Sequence, residues 1–139
     1  MTYATQQDLV DRFGSDELIQ LTDRANVGTI DSTVVNRVLG DADAEINGYL
    51  AGQYALPLAT VPAVLVRLAC DIARYQLSAD RVTEAVRDRY KDSVAMLSKI
   101  ARGEVQLGVA TGQAPAPTDS GIAYSAPDRV FSSNTLSDY

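Results

Sequence analysis

Between residues 31 and 50 the apolar side chains Val35, Val38, Leu39, Ala42, Ile46, Tyr49 and Leu50 recur at offsets of three and four. That spacing gathers them on one stripe of an α-helix and scatters them over both faces of a strand. The same spacing returns in Val64, Leu65, Leu68, Ala69, Ile72, Ala73 and Tyr75. It returns again in Val82, Val86, Tyr90, Val94, Leu97 and Ala101. Three such helices within 139 residues leave room for little except helix packed on helix. The fold class read from the pattern is all-α, a small bundle of about five helices.

Capping residues set the boundaries. Thr5 can accept a backbone hydrogen bond and Gly14 can end a turn, so Gln6 to Phe13 reads as a short helix presenting Leu9, Val10 and Phe13. Ser15 then caps a second short helix, whose Asp16 and Glu17 suit the positive end of its dipole. Neither is long enough to be stable alone. Asp31 or Ser32 opens the third helix, in which Gly40 and Gly48 each cost about 1 kcal/mol relative to alanine. Close packing or a partner must compensate. Gly52 to Leu58 is expected to be an extended connector because Pro57 interrupts it. Pro62 starts the fourth helix, on whose polar side Arg67, Asp71 and Arg74 stand three or four apart, a spacing for surface ion pairs. The fifth helix runs from about Val82 or Thr83 to Ala101, with Gly103 as its stop. Its other face, with Arg87, Asp88, Arg89, Lys91 and Asp92, carries the mixed charge of a hydrated surface.

At Gly103 the pattern changes. The residues beyond it are rich in Gly, Pro, Ser and Thr, so the chain divides into a helical domain, 1–103, and an extended or disordered C-terminal arm, 104–139. Glu104 to Val109 alternates enough for one short strand. The formal charge of −6 divides evenly: eleven basic and fourteen acidic residues precede the boundary, one basic and four acidic follow it. Tyr124, Val130, Phe131 and Tyr139 lie along the arm without a helical face. They suit either anchors that order against a neighbour or a terminus with no contact role.

The chemistry available is narrow. There is no histidine, and the single cysteine, Cys70, lacks a base to activate it. Neither a phosphate loop nor a zinc pattern is present. Asp16 with Glu17, and Asp41, Asp43 and Glu45, are placed on faces expected to be exposed, where carboxylates titrate normally. The tyrosines are dispersed without interleaved Lys or Arg, and the acidic balance disfavours broad contact with nucleic-acid backbone. No stretch approaches a membrane span or a signal core. The expectation is a noncatalytic, intracellular soluble interaction protein with no cofactor and no metal.

The ordered blocks Tyr3-Ala-Thr-Gln-Gln-Asp-Leu-Val-Asp-Arg-Phe-Gly14, Asp16-Glu-Leu-Ile-Gln-Leu-Thr-Asp-Arg24 and Ala42-Asp-Ala-Glu-Ile-Asn-Gly-Tyr-Leu50 resemble a family of Mu-like prophage and tailed-phage structural proteins. So do Tyr54-Ala-Leu-Pro-Leu58, Val61-Pro62 and Leu68-Ala-Cys-Asp-Ile-Ala-Arg-Tyr75, and together the blocks span roughly residues 3–103. The resemblance implies a head–tail connector, or adaptor: a subunit of a homo-oligomeric ring, twelvefold in the virion. Such a ring sits beneath the portal protein and receives the next neck or tail-completion protein. It implies location in the virion neck, with the host cytoplasm as the site of assembly. DNA would pass through without sequence-specific binding. Asp41, Asp43 and Glu45 are then candidates for an acidic duct wall that repels phosphate. Tyr124, Val130, Phe131 and Tyr139 are candidates for the arm's interface. The rival reading is a small helical cytoplasmic regulatory or antitoxin-like binding module.

Overall fold

The structure is a computed structural model, and it describes residues 1–109. Five helices succeed one another: α1 (Gln6–Phe13), α2 (Ser15–Thr22), α3 (Ser32–Leu50), α4 (Ala63–Ser78) and α5 (Glu84–Ala101). A 3-10 turn, Ala79–Arg81, which the periodicity does not foretell, joins the last two. Helices α3, α4 and α5 pack on one another, and the α1–α2 pair closes over α4. Leu65, Leu68, Ala69, Ile72 and Ala73 of α4 are buried with Val35, Leu39, Ala42 and Ile46 of α3 and Leu97 and Ile100 of α5.

The caps explain where each helix begins. Thr5 and Asp8 form a reciprocal capping box: the Asp8 amide donates to Thr5 Oγ1 at 3.3 Å and the Thr5 amide donates to the Asp8 carboxylate at 2.7 Å. The Thr5 amide and the Thr5 hydroxyl both donate to the Asp8 carboxylate and hold it below its ordinary value. Gly14, at φ 88°, ends α1 with its amide on the Val10 carbonyl and is itself the residue before α2. Ser15 is therefore the first residue of α2, and it makes no side-chain cap as the sequence reading expects. Asp31 caps α3 through the amides of Thr33 and Val34, and Thr83 caps α5 through that of Val86. At the far end of α5 the Gly103 amide donates to Ile100 and the Glu104 amide to Lys99, the paired bonds of a Schellman motif with Gly103 at φ 75°.

The α2–α3 loop is tied from within. The Asp23 carboxylate accepts from the amides of Val27 and Gly28 at 2.9 and 2.7 Å, which holds its own titration below the ordinary range. Buried Thr22 donates to the Leu18 carbonyl and accepts from the Asp31 amide. The chain therefore enters α3 along a fixed path.

Several expectations are corrected. Residues 52–58 bend rather than extend: Gln53 and Tyr54 donate back to the Leu50 carbonyl, and Tyr54 and Leu58 are buried. No strand forms over 104–109, since no second strand lies beside it among the described residues; the alternation survives as Val105, Leu107 and Val109 packed on the core, with the Leu107 amide donating to Tyr54 Oη at 3.1 Å. On α5 the inward positions are Val86, Ser93, Leu97 and Ile100, so Ser93 and Ile100 replace Val94 and Ala101 at the core.

The polar side of α4 also differs from the surface ion pairs expected of it. Arg74 makes a two-point contact with Glu17 of α2, at 2.6 and 3.1 Å, and its guanidinium lies 4.4 Å from the centre of the Phe13 ring. It pins both short helices to α4 by charge and by cation–π contact. Asp71 faces Ser93 of α5, and burial raises its carboxyl above the ordinary value against the pull of Arg89 and Arg67. Arg74→Ala is expected to lower stability by about 1–2 kcal/mol in chemical denaturation. The loss should appear first as hydrogen exchange in residues 6–22, the helices that it releases.

Candidate assembly interface

A helix advances about 100° per residue, so acids two apart cannot share a face. The structure separates the three acids of α3 accordingly. Asp41 is exposed, Asp43 is buried and Glu45 is half-buried. Asp43 lies on the core side between Leu39 and Ile46, where its carboxylate accepts from the Tyr3 amide at 2.9 Å. One turn on, Asn47 accepts from the Tyr3 hydroxyl. Tyr3 and Ala4 are buried in consequence, and α3 carries the N-terminal segment strapped along it. The expectation of an exposed Asp43 is thus corrected. Its neighbours in sequence concealed that the offset to Ile46 is three.

Glu45 has a different task. Its carboxylate accepts from Tyr90 Oη at 3.0 Å, and the Tyr90 ring stacks on Tyr75 with centroids 4.1 Å apart and planes 7° from parallel. Partial burial, and then the bond to Glu45, push the Tyr90 hydroxyl up to about 12, with Tyr49 and Tyr75 also close enough to contribute. Tyrosines dispersed in the sequence therefore gather, one from each long helix, into a half-buried patch around one carboxylate. The sequence signal was present only as helical phase: Glu45 and Tyr49 are one turn apart. Their convergence with Tyr75 and Tyr90 depends on how α3, α4 and α5 pack.

The chain that leaves this patch is uncharged over a long stretch. From Ile46 to Val66 the chain contains no charged residue, and its exposed positions include Gly48, Ala51, Gly52, Ala55 and Ala59. Gly40 and Gly48 are exposed, and a Cβ added to either would meet nothing within 4 Å. Close packing inside the subunit does not account for them.

Other features are quickly placed. A polar groove of about 370 Å³ opens between the ends of α2 and α4, lined by Gln20, Arg24, Asn26, Ser78 and Arg81 among others. None of the residues predicted as sites lies there. Cys70 is fully buried, and burial pushes its thiol up to about 11, away from the reactive thiolate. Among the described residues no three metal-ligating side chains converge, and no helix is long and apolar enough to cross a membrane. The expected arm anchors Tyr124, Val130, Phe131 and Tyr139 lie outside the described residues.

The class defined by this architecture is a small all-α bundle whose chain continues for thirty residues past the described body. The chain belongs to the family described as Bacteriophage Mu, Gp36, which it matches over residues 3–125. It is similar to the Mu-like prophage FluMu protein gp36 of Haemophilus influenzae, 35% identical over 133 residues, which cover 96% of this chain and 94% of that protein. It is also similar to Gene product J of Escherichia phage Mu, 36% identical over 118 residues and 84% of each chain. The protein is thus a phage protein of the Mu gp36 type. The match runs beyond the blocks that end near Gly103, so the family includes the first part of the arm.

The Asp43 contact yields a pH prediction. Burial raises its carboxyl above the ordinary 3.8, against the opposing pull of the Tyr3 amide and the N-terminal ammonium. A raised folded-state value favours the protonated acid in the fold, so its contribution is fully present below 3.8 and is lost as pH rises through the raised value. Asp43→Asn, which keeps an acceptor for Tyr3, should remove that decline and equal or exceed the wild type in stability at pH 7. Asp43→Ala should cost about 1–3 kcal/mol by leaving the buried amide unpaired. Urea denaturation of the three proteins at pH 3 and pH 7 measures both effects.

Proposed function

We propose that this protein is a head–tail connector of a Mu-like phage. It assembles as a homo-oligomeric ring, twelvefold in the virion, beneath the portal protein in the neck. The ring offers a platform to the next neck or tail-completion protein, and assembly takes place in the host cytoplasm. The observation that carries this reading is the pairing of family membership over residues 3–125 with an uncharged stretch, residues 46–66, whose exposed positions are mostly small. Small side chains let a neighbouring backbone approach closely, and the absence of charge removes the desolvation cost of covering them. The glycines that weaken α3 without packing inside the subunit are then explained by contact outside it.

In this reading the role is positional and noncatalytic, and the body requires neither cofactor nor metal. The duct proposal narrows from three acids to Asp41, since Asp43 is committed to Tyr3 and Glu45 to Tyr90. One exposed acid per subunit, repeated around a ring, still gives a repelling collar for phosphate. DNA would pass without sequence-specific contact. The arm, with Tyr124, Val130, Phe131 and Tyr139 as anchors, extends to a neighbouring subunit or neck component.

Gly40→Ala and Gly48→Ala separate subunit stability from assembly. Both positions are helical, so each substitution should stabilise the isolated chain by up to about 1 kcal/mol in denaturation. Each should nevertheless reduce incorporation into phage particles; normal incorporation of both would remove the close-contact face. Deleting residues 112–139 should leave the thermal melt of the body nearly unchanged and abolish infectious particles in a complementation assay. Normal particle yield from that deletion would exclude the arm's role.

A further inference from the structure

The half-buried tyrosine patch has one charged group at its centre, Glu45, which makes no ion pair among the described residues. Glu45 accepts from a neutral phenol, and the ion pairs among the described residues are Arg74 with Glu17 and Arg102 with Glu104. Asp41, one turn earlier on α3, also makes no ion pair among the described residues, and Arg37 stands a further turn back on the same side. Partly exposed tyrosines around a carboxylate combine aromatic area with a charge-directed contact, the chemistry that receives a guanidinium and an apolar side chain together.

The chain itself contains one segment with those properties outside the described body. Residues 104–139 include a single basic residue, Arg129, followed by Val130 and Phe131. Arg129 and Phe131 stand two apart, the spacing at which one extended segment can offer a charge and a ring to the same surface. The arm leaves the body beside Tyr54, and the stretch from Val109 to Arg129 can reach roughly 60 Å when extended, enough to cross to an adjoining subunit. The patch adjoins Gly48 on α3, an exposed glycine that the connector reading assigns to contact outside the subunit.

We propose that the Glu45–Tyr75–Tyr90 patch is the docking site for the arm of a second copy of this chain, with Arg129 paired to Glu45 and Phe131 packed on the tyrosines. This inference rests on the homo-oligomer reading and adds the contact that links consecutive subunits. Such a contact is heterologous: each copy gives an arm and receives one, as a closed ring requires.

The test is charge exchange in the full-length protein, read as self-association by sedimentation velocity. Glu45→Arg and Arg129→Glu should each weaken association at least about tenfold, equivalent to about 1.4 kcal/mol. Glu45→Gln, which keeps an acceptor for Tyr90, should weaken it in the same direction and guards against a folding defect. An equimolar mixture of E45R and R129E should regain wild-type association, because every arm then finds a face of opposite charge. Recovery in the E45R/R129E double variant without recovery in the mixture would place the arm on its own body and overturn the second-copy assignment. A loss with E45R but none with R129E would assign the cation to another segment and overturn it too, as would a wild-type chain that remains monomeric up to about 1 mM, the weak limit of measurable association. Presence of the protein in purified particles is independent of these results, so the connector reading can stand where the docking site fails.

Discussion

Burial of α4 between α3 and α5 is the constraint on which the rest of the structure depends. Leu65, Leu68 and Ile72 fill the shared interior, while Ala69, Cys70 and Ala73 are small enough to let neighbouring helices approach. That packing fixes the angular phase of the long helices. The phase in turn decides which side chains point outward, and so decides the external surface: Glu45, Tyr75 and Tyr90 meet because their helices meet. Arg74 extends the same order to the periphery by tying α2 and the Phe13 ring to α4.

Much of the architecture was legible in the sequence because helical periodicity is a local property. Thr5, Gly14, Asp31, Thr83 and Gly103 mark helix ends with the backbone chemistry that each residue favours. What the sequence concealed was relational. Asp43 looked like one of three equivalent acids until the Tyr3 amide was brought to it from forty residues away. Arg67, Asp71 and Arg74 have the spacing of surface pairs on one helix, yet Arg74 serves α2 and Asp71 faces α5. Alternation over Val105, Leu107 and Val109 correctly marked the apolar side of the segment, but a strand also needs a neighbouring strand, which a sequence window does not show.

The surface divides into parts with different physical characters. Around α5 it carries mixed charge and is suited to solvent, whereas the chain from Ile46 near the end of α3 to Val66 early in α4 contains no charged residue. The apolar residues of the acidic arm that follows Gly103 fall on no helical face, so its aromatic side chains gain most when a preformed surface receives them. Membership of the Mu gp36 family makes that arrangement a feature of a phage protein.

The central claim is that the protein acts as a stoichiometric building block of the phage neck. Quantitative mass spectrometry of purified, DNA-filled particles tests it most directly. The account predicts that the chain is retained after stringent purification at about one copy per portal subunit, the ratio that matched rings require. Its absence from mature particles, with abundant protein left in the host lysate, would contradict the account and favour a regulatory binding module.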